Sequence, residues 1–344
     1  MGKYMSGNVE QKNMELIKDF LFNRCANEPT LFPRKICGVN FTDYQEDIFA
    51  DVWSYDKVAV KSCNGSGKSH VSGNLALTFC YTIKKSIIIT TAPTARQVEK
   101  LIWKEIRSSH RQAGLILAEY GIKDGLWGDL MPKAPELRLL GDEWCILGVA
   151  TNDPDKLVGF HSDNILIIID EAAGVHPDIF STIEDGILAS GRRARMLMIG
   201  NPTNSEGYFY DTFKNPIGTK THTISCFITP NFKKFGLTFE DFEKDDDMWL
   251  IKIGLTEKDA KIYHDLKHPK YLEVKENLEN LLPCSYLIKP QKVYNMLMKY
   301  GKDSRIFRAR ALGEFPLEGT DSLIPMSWIE KSNELYLDQM ALTA

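Results

Sequence analysis

Val58-Ala59-Val60-Lys61-Ser62-Cys63-Asn64-Gly65-Ser66-Gly67-Lys68-Ser69 is the stretch that decides the fold of this 344-residue chain. Its three apolar residues at the start predict a buried strand, and the apolar spacing over 68–81 predicts a helix after the loop. Glycines between the two let the backbone curl so that successive N–H groups point inward. The helix N-terminus adds partial positive charge at the same place. Strand, small-residue loop and helix in this order predict a phosphate-binding loop.

Each residue of the loop has a predicted part in holding a nucleotide. Lys68 is expected to reach the β- and γ-phosphates, and the Ser69 hydroxyl to bind Mg²⁺. The usual pattern G-x-x-x-x-G-K-[ST] lacks its first glycine here, because Ser62 stands at that position. ATP and Mg²⁺ are therefore the predicted ligands. The predicted binding residues of the loop are Ser62, Cys63, Asn64, Gly65, Ser66, Gly67, Lys68 and Ser69.

Two carboxylates follow a second apolar run about a hundred residues later. The run 165–169 predicts a strand, and Asp170 and Glu171 stand at its carboxyl end, the edge of an open α/β sheet where ligands bind. Asp170 is expected to hold Mg²⁺, and Glu171 to act as general base toward an attacking water. We expect this strand to neighbour the strand of the phosphate loop. The alternative is that Asp170 and Glu171 are only two surface acids that follow a strand. The presence of the phosphate loop favours a site for ATP hydrolysis over that alternative.

Apolar strands alternating with helices predict an α/β fold, a P-loop NTPase of the RecA/ASCE-like kind with a mostly parallel sheet. The predicted strands are 58–60, 87–89, 165–169 and 196–199, and the predicted helices are 14–22, 68–81, 94–108 and 177–188. Residues 137–149 predict a hairpin, an antiparallel insertion between the second and third strands. Residues 1–40 are expected to form a helical lead-in, 41–229 the ATPase core, and 230–344 a small helical and linker subdomain.

Composition limits the class of protein. The chain carries 42 Lys+Arg against 46 Asp+Glu, a net charge of −4, which excludes coating nucleic acid by bulk charge. No run approaches the roughly 18 apolar residues of a membrane span, and the N-terminus lacks the apolar core of a signal peptide. Its seven cysteines are scattered without metal-ligand spacing, so reduced, mostly buried thiols are expected.

Three more segments narrow the kind of ATPase. Gln45, upstream of the loop, is a candidate to recognise adenine. Ala92-Pro93-Thr94 with Gln97 is similar to a translocase motif that couples nucleotide state to backbone contact. Asn201 and Thr203, after a further predicted strand, are candidates to sense the γ-phosphate. Each segment has a structural alternative. Gln45 could be a polar residue at a helix start, Ala92-Pro93-Thr94 a proline turn, and Asn201 and Thr203 helix caps.

In this order the segments resemble the ATPase portion of the large terminase subunit of tailed bacteriophages, the motor that packages double-stranded DNA into a procapsid. The resemblance runs from about Phe41 to Trp328. It rests on Tyr44-Gln45, the loop Lys61 to Ser69, Ala92-Pro93-Thr94 with Gln97, Ile169-Asp170-Glu171-Ala172, Gly200-Asn201-Pro202-Thr203, Gly207-Tyr208-Phe209, Leu312-Gly313-Glu314-Phe315-Pro316 and Ser322-Leu323-Ile324-Pro325.

The resemblance implies an ATP-hydrolysing motor that moves double-stranded DNA without regard to sequence. It implies a homo-oligomeric ring on the portal, contact with the portal protein and the small terminase subunit, no membrane, and the host-cell cytoplasm as location. Candidate DNA contacts are the Lys-rich stretches 258–275 and 289–302 and the turn at Arg192. Two alternatives stay open: a nucleotide-gated assembly or DNA-binding P-loop protein, and a helicase-like translocase without a packaging role.

The chain departs from the family in two ways. Many members carry an arginine finger three residues before the glycine of Gly-Lys-Ser, where this chain has Asn64. Lys61 is one candidate for that role. A neighbouring subunit's Arg192, Arg193 or Arg195 is another, and a solvated basic turn is the alternative. The family's nuclease domain would begin where this chain stops, so DNA cleavage is not expected. An engineered fragment, a split gene and a truncated prophage copy all remain open.

Overall fold

The computed structural model describes residues 2–150, 157, 159–189, 191–243, 247–317 and 332. The strands within these residues are β1 (Lys57–Ser62), β2 (Ser86–Ala92), β3 (Asp129–Leu130), β4 (Glu136–Leu140), β5 (Trp144–Ala150), β6 (Asn164–Asp170), β7 (Arg193–Gly200) and β8 (Thr219–Ile224). They form one sheet in the order β3-β4-β5-β2-β6-β7-β1-β8.

The centre of the sheet is parallel and buried. β2 pairs in parallel with β5 on one side and β6 on the other, and β6 pairs in parallel with β7. Every residue of β2 is buried, and so is β6 from Ile165 onward. Continuous apolar runs of this kind need cover on both faces of a sheet, which parallel strands connected by helices receive. The predicted α/β class and all four predicted strands are confirmed.

Two expectations about the sheet need correction. The hairpin forms between β4 and β5 as predicted, but β5 also pairs in parallel with β2, so the hairpin extends the main sheet. β7 lies between β6 and β1, so the acidic strand and the phosphate-loop strand are not neighbours. A continuous apolar run shows that a strand is buried on both faces, but it does not show which strands are its neighbours. The order of the strands could therefore not be predicted from the sequence.

Helices account for most of the remaining described residues. The α-helices are α1 (Gly2–Asp19), α2 (Leu31–Ile36), α3 (Asp43–Ser54), α4 (Lys68–Thr82), α5 (Ala95–Gln97), α6 (Trp103–Glu119), α7 (Pro177–Ser181), α8 (Tyr208–Lys214), α9 (Pro230–Lys233), α10 (Glu240–Glu243), α11 (Met248–Ile253), α12 (Glu257–His264), α13 (Tyr271–Leu281), α14 (Pro290–Tyr300) and α15 (Arg305–Phe307). Wide-turn π-helical segments cover Phe20–Cys25, Val98–Ile102, Thr182–Leu188 and Arg308–Leu312. The four predicted helices match these elements, except that Thr94 is the N-cap that precedes α5. No described helix combines the length and the apolar character needed to cross a bilayer.

Helix α4 is the central helix of the fold. Its residues from Val71 to Thr82 are all buried. A Cβ at Gly73 would stand 2.8 Å from Glu105 Cβ, so the absence of a side chain there lets α4 and α6 approach closely. Packing on this scale fixes the helix, and with it the position of Lys68 and Ser69 in its first turn.

The chain divides into two compact units. The first comprises the described parts of Met1–Val60, Lys68–Gly200 and Gly207–His222. The second comprises those of Lys61–Gly67, Asn201–Glu206 and Thr223–Ala344, and has its own apolar core. The domain limits at residues 40 and 229 remain a prediction.

Candidate nucleotide-binding site

The phosphate loop, residues 61–67, belongs to the second unit. Gly65 and Gly67 both have left-handed backbones, with φ of 66° and 80°. This region is open to glycine without the steric cost that a Cβ brings, so the two glycines let the loop curl. Within the described part of the chain, the N–H groups of Gly65 and Gly67 donate no hydrogen bond. Two backbone donors are therefore left for an anion in the loop.

Backbone carbonyls hold the first half of the loop. The N–H of Cys63 donates to Ile224 O and that of Asn64 to Arg310 O, both at 2.8 Å. The Ile288 N–H donates to Gly65 O at 2.9 Å. Cys63 and Asn64 thus already use their N–H groups within the protein, and the N–H groups left for an anion are in the second half of the loop.

Gly313 packs against the backbone of the loop. A Cβ at this position would stand 2.5 Å from Ile224 O and 3.1 Å from Cys63 N, and its φ is 66°. Only a glycine fits this contact without moving the backbone. Leu312-Gly313 is part of the family resemblance, but the contact of Gly313 with the loop was not predicted. The only signal in the sequence is a glycine between an apolar and an acidic residue.

Asn201 is tied to the loop, whereas Thr203 is not. The Asn201 Nδ2 donates to Ser62 O at 2.5 Å, and the Asn201 side chain is buried. Ser66 Oγ donates to Ser62 Oγ at 3.1 Å, so the residue in place of the usual first glycine is bonded inside the loop. Thr203 is exposed, and its N–H donates to Asn201 O. Of the two candidate sensors, Asn201 is the one bonded to the loop.

Lys61 is directed at the segment that follows the last π-helical turn. Its ammonium lies 5.2 Å from the centroid of the Phe315 ring. Burial lowers the pKa of Lys61, the charge of Glu314 opposes this, and Arg308 adds to it. Lys61 is therefore bound within its own chain, while its role as a finger remains a prediction.

In the first unit, Asp170 ends β6 as a fully buried carboxylate. Its Oδ1 accepts the Glu171 N–H at 3.0 Å, and its Oδ2 is buried without a partner among the described residues. Burial raises the pKa of Asp170 to about 7, with Glu171 acting in the same direction and the charge of Lys68 opposing it. An orphaned buried carboxylate oxygen is costly, and a bound cation removes that cost.

Glu171 has a strained backbone at the edge of the sheet. Its φ of 51° and ψ of 43° lie in the left-handed region, which non-glycine residues rarely occupy. The end of β7 presses against it, because a Cβ at Gly200 would stand 2.9 Å from Ala172 N and 3.2 Å from Glu171 Cα. Strain of this kind persists only where the surroundings impose it, and it is concentrated at functional sites.

The segment after β2 reaches the neighbourhood of these acids. A Cβ at Gly174 would stand 3.1 Å from Pro93 Cγ, so the turn after β2 touches the turn after Glu171. Thr94 caps α5, its Oγ1 accepting the Gln97 N–H at 3.3 Å. Pro93 therefore forms a turn and Thr94 caps a helix, as the alternatives predicted. The contact between Pro93 and Gly174 is also compatible with the predicted coupling role.

Gln45 lies in the first turn of α3. Its Oε1 accepts the Thr42 N–H at 3.0 Å, and the side chain is 3% exposed. The amide oxygen is thus already bonded to Thr42, the N-cap residue of α3, in a capping box. Its part in recognising adenine stays a prediction.

The arginine cluster lies at the other end of its strand from the acids. β6 and β7 are parallel, with Asn164 paired to Arg193 and Asp170 to Ile199. Arg193 is therefore about 20 Å from the acidic end of the sheet, at roughly 3.3 Å per residue. Arg195 forms an ion pair with Asp56, and Arg192 is exposed. Within its own chain the cluster is too far from Glu171 to serve as a finger.

Two further segments of the resemblance are Gly207-Tyr208-Phe209 and Ser322-Leu323-Ile324-Pro325. Tyr208 stacks on Phe180 at 4.4 Å between ring centroids, and Phe209 is buried. The segment Ser322-Leu323-Ile324-Pro325 lies outside the described residues, as does Trp328.

The residues present fit a magnesium ion. Asp170 offers an unpartnered carboxylate oxygen and Ser69 a hydroxyl at the start of α4, both hard oxygen donors of the kind Mg²⁺ prefers. No cluster of three or more His, Cys, Asp or Glu suited to a metal occurs among the described residues. The donor set is thus one that leaves much of the ion's shell to water and phosphate, which is how Mg²⁺ is usually held.

A phosphate loop after β1, a buried acid with a strained glutamate after β6, and β7 between those strands define the class. The chain has the α/β fold of a P-loop NTPase of the RecA/ASCE-like kind.

Sequence comparison then points to one group within that class. The chain is similar to a protein described as "Probable terminase, large subunit" from Enterobacteria phage P7, with 29% identity over 213 residues. That alignment takes in 57% of this chain and 41% of the relative, so the chain spans under half the relative's length. The resemblance to large terminase subunits predicted from the motifs is confirmed. No protein-family model matches the chain.

Solved structures give weaker likenesses. The large terminase of a thermophilic bacteriophage matches with a TM-score of 0.42 and 12% identity, over 68% of this chain and 52% of that one. The large terminase ATPase domain of Thermus phage P74-26 matches with a TM-score of 0.41 and 17% identity, over 70% of this chain and 93% of that one. The fold class rests on the strand order of this chain itself.

Proposed function

We propose that this chain binds ATP with Mg²⁺ and hydrolyses it. The observation that carries the proposal is the end of β6, where a fully buried Asp170 leaves one carboxylate oxygen unpartnered beside a Glu171 held in a left-handed backbone. A binding-only module has no need of a strained second acid next to a cation ligand. The motif from Ser62 to Ser69 supplies the matching phosphate-binding elements.

Each side chain has a defined part in this reaction. The Lys68 ammonium neutralises charge on the β- and γ-phosphates, and the N–H groups of Gly65 and Gly67 donate to phosphate oxygens. Ser69 Oγ and Asp170 Oδ2 hold Mg²⁺, which when bound stabilises the negative charge of the phosphates. The Glu171 carboxylate orients the attacking water and accepts its proton. Asn201, whose Nδ2 donates to Ser62 O, senses the state of the loop.

We propose further that hydrolysis drives double-stranded DNA into a viral procapsid. The similarity to the phage P7 protein and the ordered motifs support this part of the proposal. It includes a homo-oligomeric ring on a portal, contact with a small terminase subunit, and the host cytoplasm as location. Because the arginine cluster lies at the far end of β7, we propose that Arg192, Arg193 or Arg195 can act as a finger only toward a neighbouring subunit's site, with Lys61 the candidate in cis.

Phosphate release by the purified chain, with and without long duplex DNA and across protein concentration, tests the proposal. We expect slow turnover that rises with DNA and with self-association, and loss of turnover in Lys68→Ala. Exposed Lys35→Ala is the matched control and should behave as the wild type. Turnover that survives Lys68→Ala would refute the site, and turnover indifferent to DNA and to concentration would refute the motor.

The substitution Glu171→Gln separates hydrolysis from binding. It removes the base and keeps the size of the side chain, so the variant should bind ATP as the wild type does while turnover falls by about 10²–10⁴-fold. Nucleotide binding is measured by equilibrium titration and turnover by phosphate release. Unchanged turnover in this variant would instead favour a nucleotide-gated assembly module.

A further inference from the structure

A row of basic side chains runs along the helix that follows β2. Arg96, Lys100, Lys104, Arg107 and Arg111 are spaced by four, four, three and four residues, so each lies about one helical turn from the next. We call these five residues the cationic stripe. They lie on α5, the π-helical segment Val98–Ile102 and α6, all within the first unit.

Four members of the cationic stripe form no ion pair within the described part of the chain. Arg96, Lys100, Lys104 and Arg111 are exposed, and their side chains make no hydrogen bond with the described residues. Basic side chains on a protein surface are commonly paired with acids of their own chain, which consumes part of their attraction for other anions. The charge of these four is therefore available to an external anion.

Arg107 has a different environment. Its Nη2 donates to Ala134 O at 2.7 Å, and its guanidinium lies 5.4 Å from the Trp103 ring centroid. This residue is half-buried and fixes the middle of the helix against its neighbours. We leave it unchanged in the experiments below because its loss would disturb packing.

Acids of the same segment do not neutralise the cationic stripe. Residues 95–111 contain five Arg or Lys and two acids, Glu99 and Glu105, a net charge of +3. Glu105 Oε2 lies 3.0 Å from His70 Nδ1, on the side of α6 that packs on α4. The His70 hydrogen bond is the largest cause of the lowered pKa of Glu105, and the charge of Lys104 is the smallest. Only Glu99 of the two acids is exposed.

The two Lys-rich stretches predicted from sequence, 258–275 and 289–302, have more of their positive charge balanced by nearby acids. Residues 258–275 carry five lysines and three acids, a net charge of +2 apart from histidine, and Glu257 and Glu276 flank them. Residues 289–302 carry four lysines and no acid, but Lys289 forms an ion pair with Glu279, and Lys302 forms one with Glu243. An acid close to a cation weakens the attraction of that cation for a polyanion. The cationic stripe is thus the more favourable surface for phosphates.

The dimensions suit a duplex. From Arg96 to Arg111 the helix advances about 22 Å, at 1.5 Å per residue. Double-stranded DNA carries one negative charge per about 1.7 Å of axis, so this length faces about a dozen phosphate charges. Several contacts at once are possible without reading any base.

We propose that the cationic stripe is a contact surface for the phosphate backbone of duplex DNA. The choice of partner rests on the proposed function. The helix begins directly after the turn at Pro93, which touches Gly174 just beyond Glu171. A movement at the acidic end of β6 therefore has a short route to the start of the cationic stripe.

Equilibrium binding of a fluorescent 30-base-pair duplex, measured across salt concentration, tests the proposal. The stripe variant is Arg96→Gln, Lys100→Gln, Lys104→Gln and Arg111→Gln combined. The matched control removes four charges elsewhere: Lys258→Gln, Lys261→Gln, Lys267→Gln and Lys270→Gln. A charge-retaining variant combines Arg96→Lys, Lys100→Arg, Lys104→Arg and Arg111→Lys.

We expect the stripe variant to bind more than about tenfold more weakly, and the slope of log K against log salt to fall by about four. The charge-retaining variant and the control should keep the wild-type slope to within about one. The double variant Lys100→Gln, Lys104→Gln, a smaller change should the fourfold variant misfold, should lower the slope by about two.

Several results would overturn the proposal: a wild-type slope in the stripe or double variant, an equal loss in the control, or no duplex binding by the wild type at about 50 mM salt. ATP turnover of the same wild-type preparation, compared with Lys68→Ala, decides the proposed function separately. A chain that binds DNA through the cationic stripe and hydrolyses no ATP would leave this surface standing and refute the ATPase.

Discussion

At the scale of single residues, Glu171 shows how a β-sheet can impose a strained backbone on a residue, here the one that we propose as the general base. A left-handed glutamate costs about 1–3 kcal/mol relative to an ordinary backbone, so its neighbours must hold it there. Gly200 is the neighbour that does so, because the backbone at the end of β7 comes within van der Waals contact of Glu171 and Ala172.

Substituting Gly200→Ala tests this contact. The new Cβ would stand 2.9 Å from Ala172 N, so the turn that carries Glu171 must move. We expect about 1–3 kcal/mol lower free energy of unfolding by urea titration, and a clear loss of ATP turnover with ATP binding retained. Gly186→Ala is the control, since nothing lies within 4 Å of a Cβ there. Equal effects of the two substitutions would contradict the contact.

At Asp170, a substitution that stabilises the fold is expected to abolish ATP turnover. Burial raises the pKa of Asp170 to about 7, so at pH 8 the protein without ligands carries a costly buried charge. Asp170→Asn removes that charge, and we expect the free energy of unfolding to rise by about 1–3 kcal/mol in the absence of Mg²⁺ and nucleotide. ATP turnover should be lost.

Thermal or urea unfolding at pH 8 measures the first effect and phosphate release the second. The exposed Asp129→Asn variant should change neither. A destabilised Asp170→Asn protein would show that the carboxylate is satisfied by the fold and has no need of a cation.

At the scale of elements, features that depend on the types of residue could be predicted from the sequence, and features that depend on backbone contacts could not. The runs at 87–89 and 165–169 are apolar on both faces, and only a doubly covered strand buries such a run. A phosphate loop could be predicted because its glycines and Lys68 are residue types that the sequence shows directly. The bonds from Cys63 and Asn64 to Ile224 O and Arg310 O join backbone groups. Every residue except proline has both groups, so no sequence pattern marks these bonds.

Helix α6 also holds a titratable group that sequence reasoning passed over. His110 Nε2 lies 3.1 Å from the Tyr81 hydroxyl, which donates to Trp127 O at 2.7 Å. Burial lowers the pKa of His110 below its ordinary 6.5. The folded protein therefore keeps this imidazole neutral where the unfolded chain takes up a proton.

The pH dependence follows from that difference. Below about pH 6.5 the unfolded chain binds more protons than the folded one, so the free energy of unfolding falls as the pH falls toward the lowered pKa of His110. Above pH 6.5 both states are neutral at this residue and its effect vanishes. In His110→Gln we expect a shallower loss between pH 6.5 and 5 by urea titration. The exposed His161→Gln serves as the control, and a wild-type slope in His110→Gln would contradict the assignment.

At the scale of the whole molecule, two compact units with separate cores make up the described chain, and the second has an aromatic centre. Trp249 is fully buried, stacks on Phe242 at 5.8 Å between centroids, and also packs against Tyr263 and Tyr294. Its Nε1 is buried without a hydrogen-bond partner among the described residues. A buried unpaired N–H costs about 1–3 kcal/mol, so this core residue combines a large gain from packing with a polar penalty.

Two substitutions at Trp249 separate those terms. Trp249→Ala empties the centre of the core and should lower the free energy of unfolding by about 3–5 kcal/mol. Trp249→Phe loses part of the ring and also the unpaired N–H, so we expect a change below about 2 kcal/mol. Urea titration gives both values, and amide hydrogen exchange should accelerate in α11 and α14 of the Ala variant, because those helices carry Trp249 and Tyr294. A Phe variant as unstable as the Ala variant would mean that the indole nitrogen is satisfied in solution, and that the second unit depends on a polar contact at its centre.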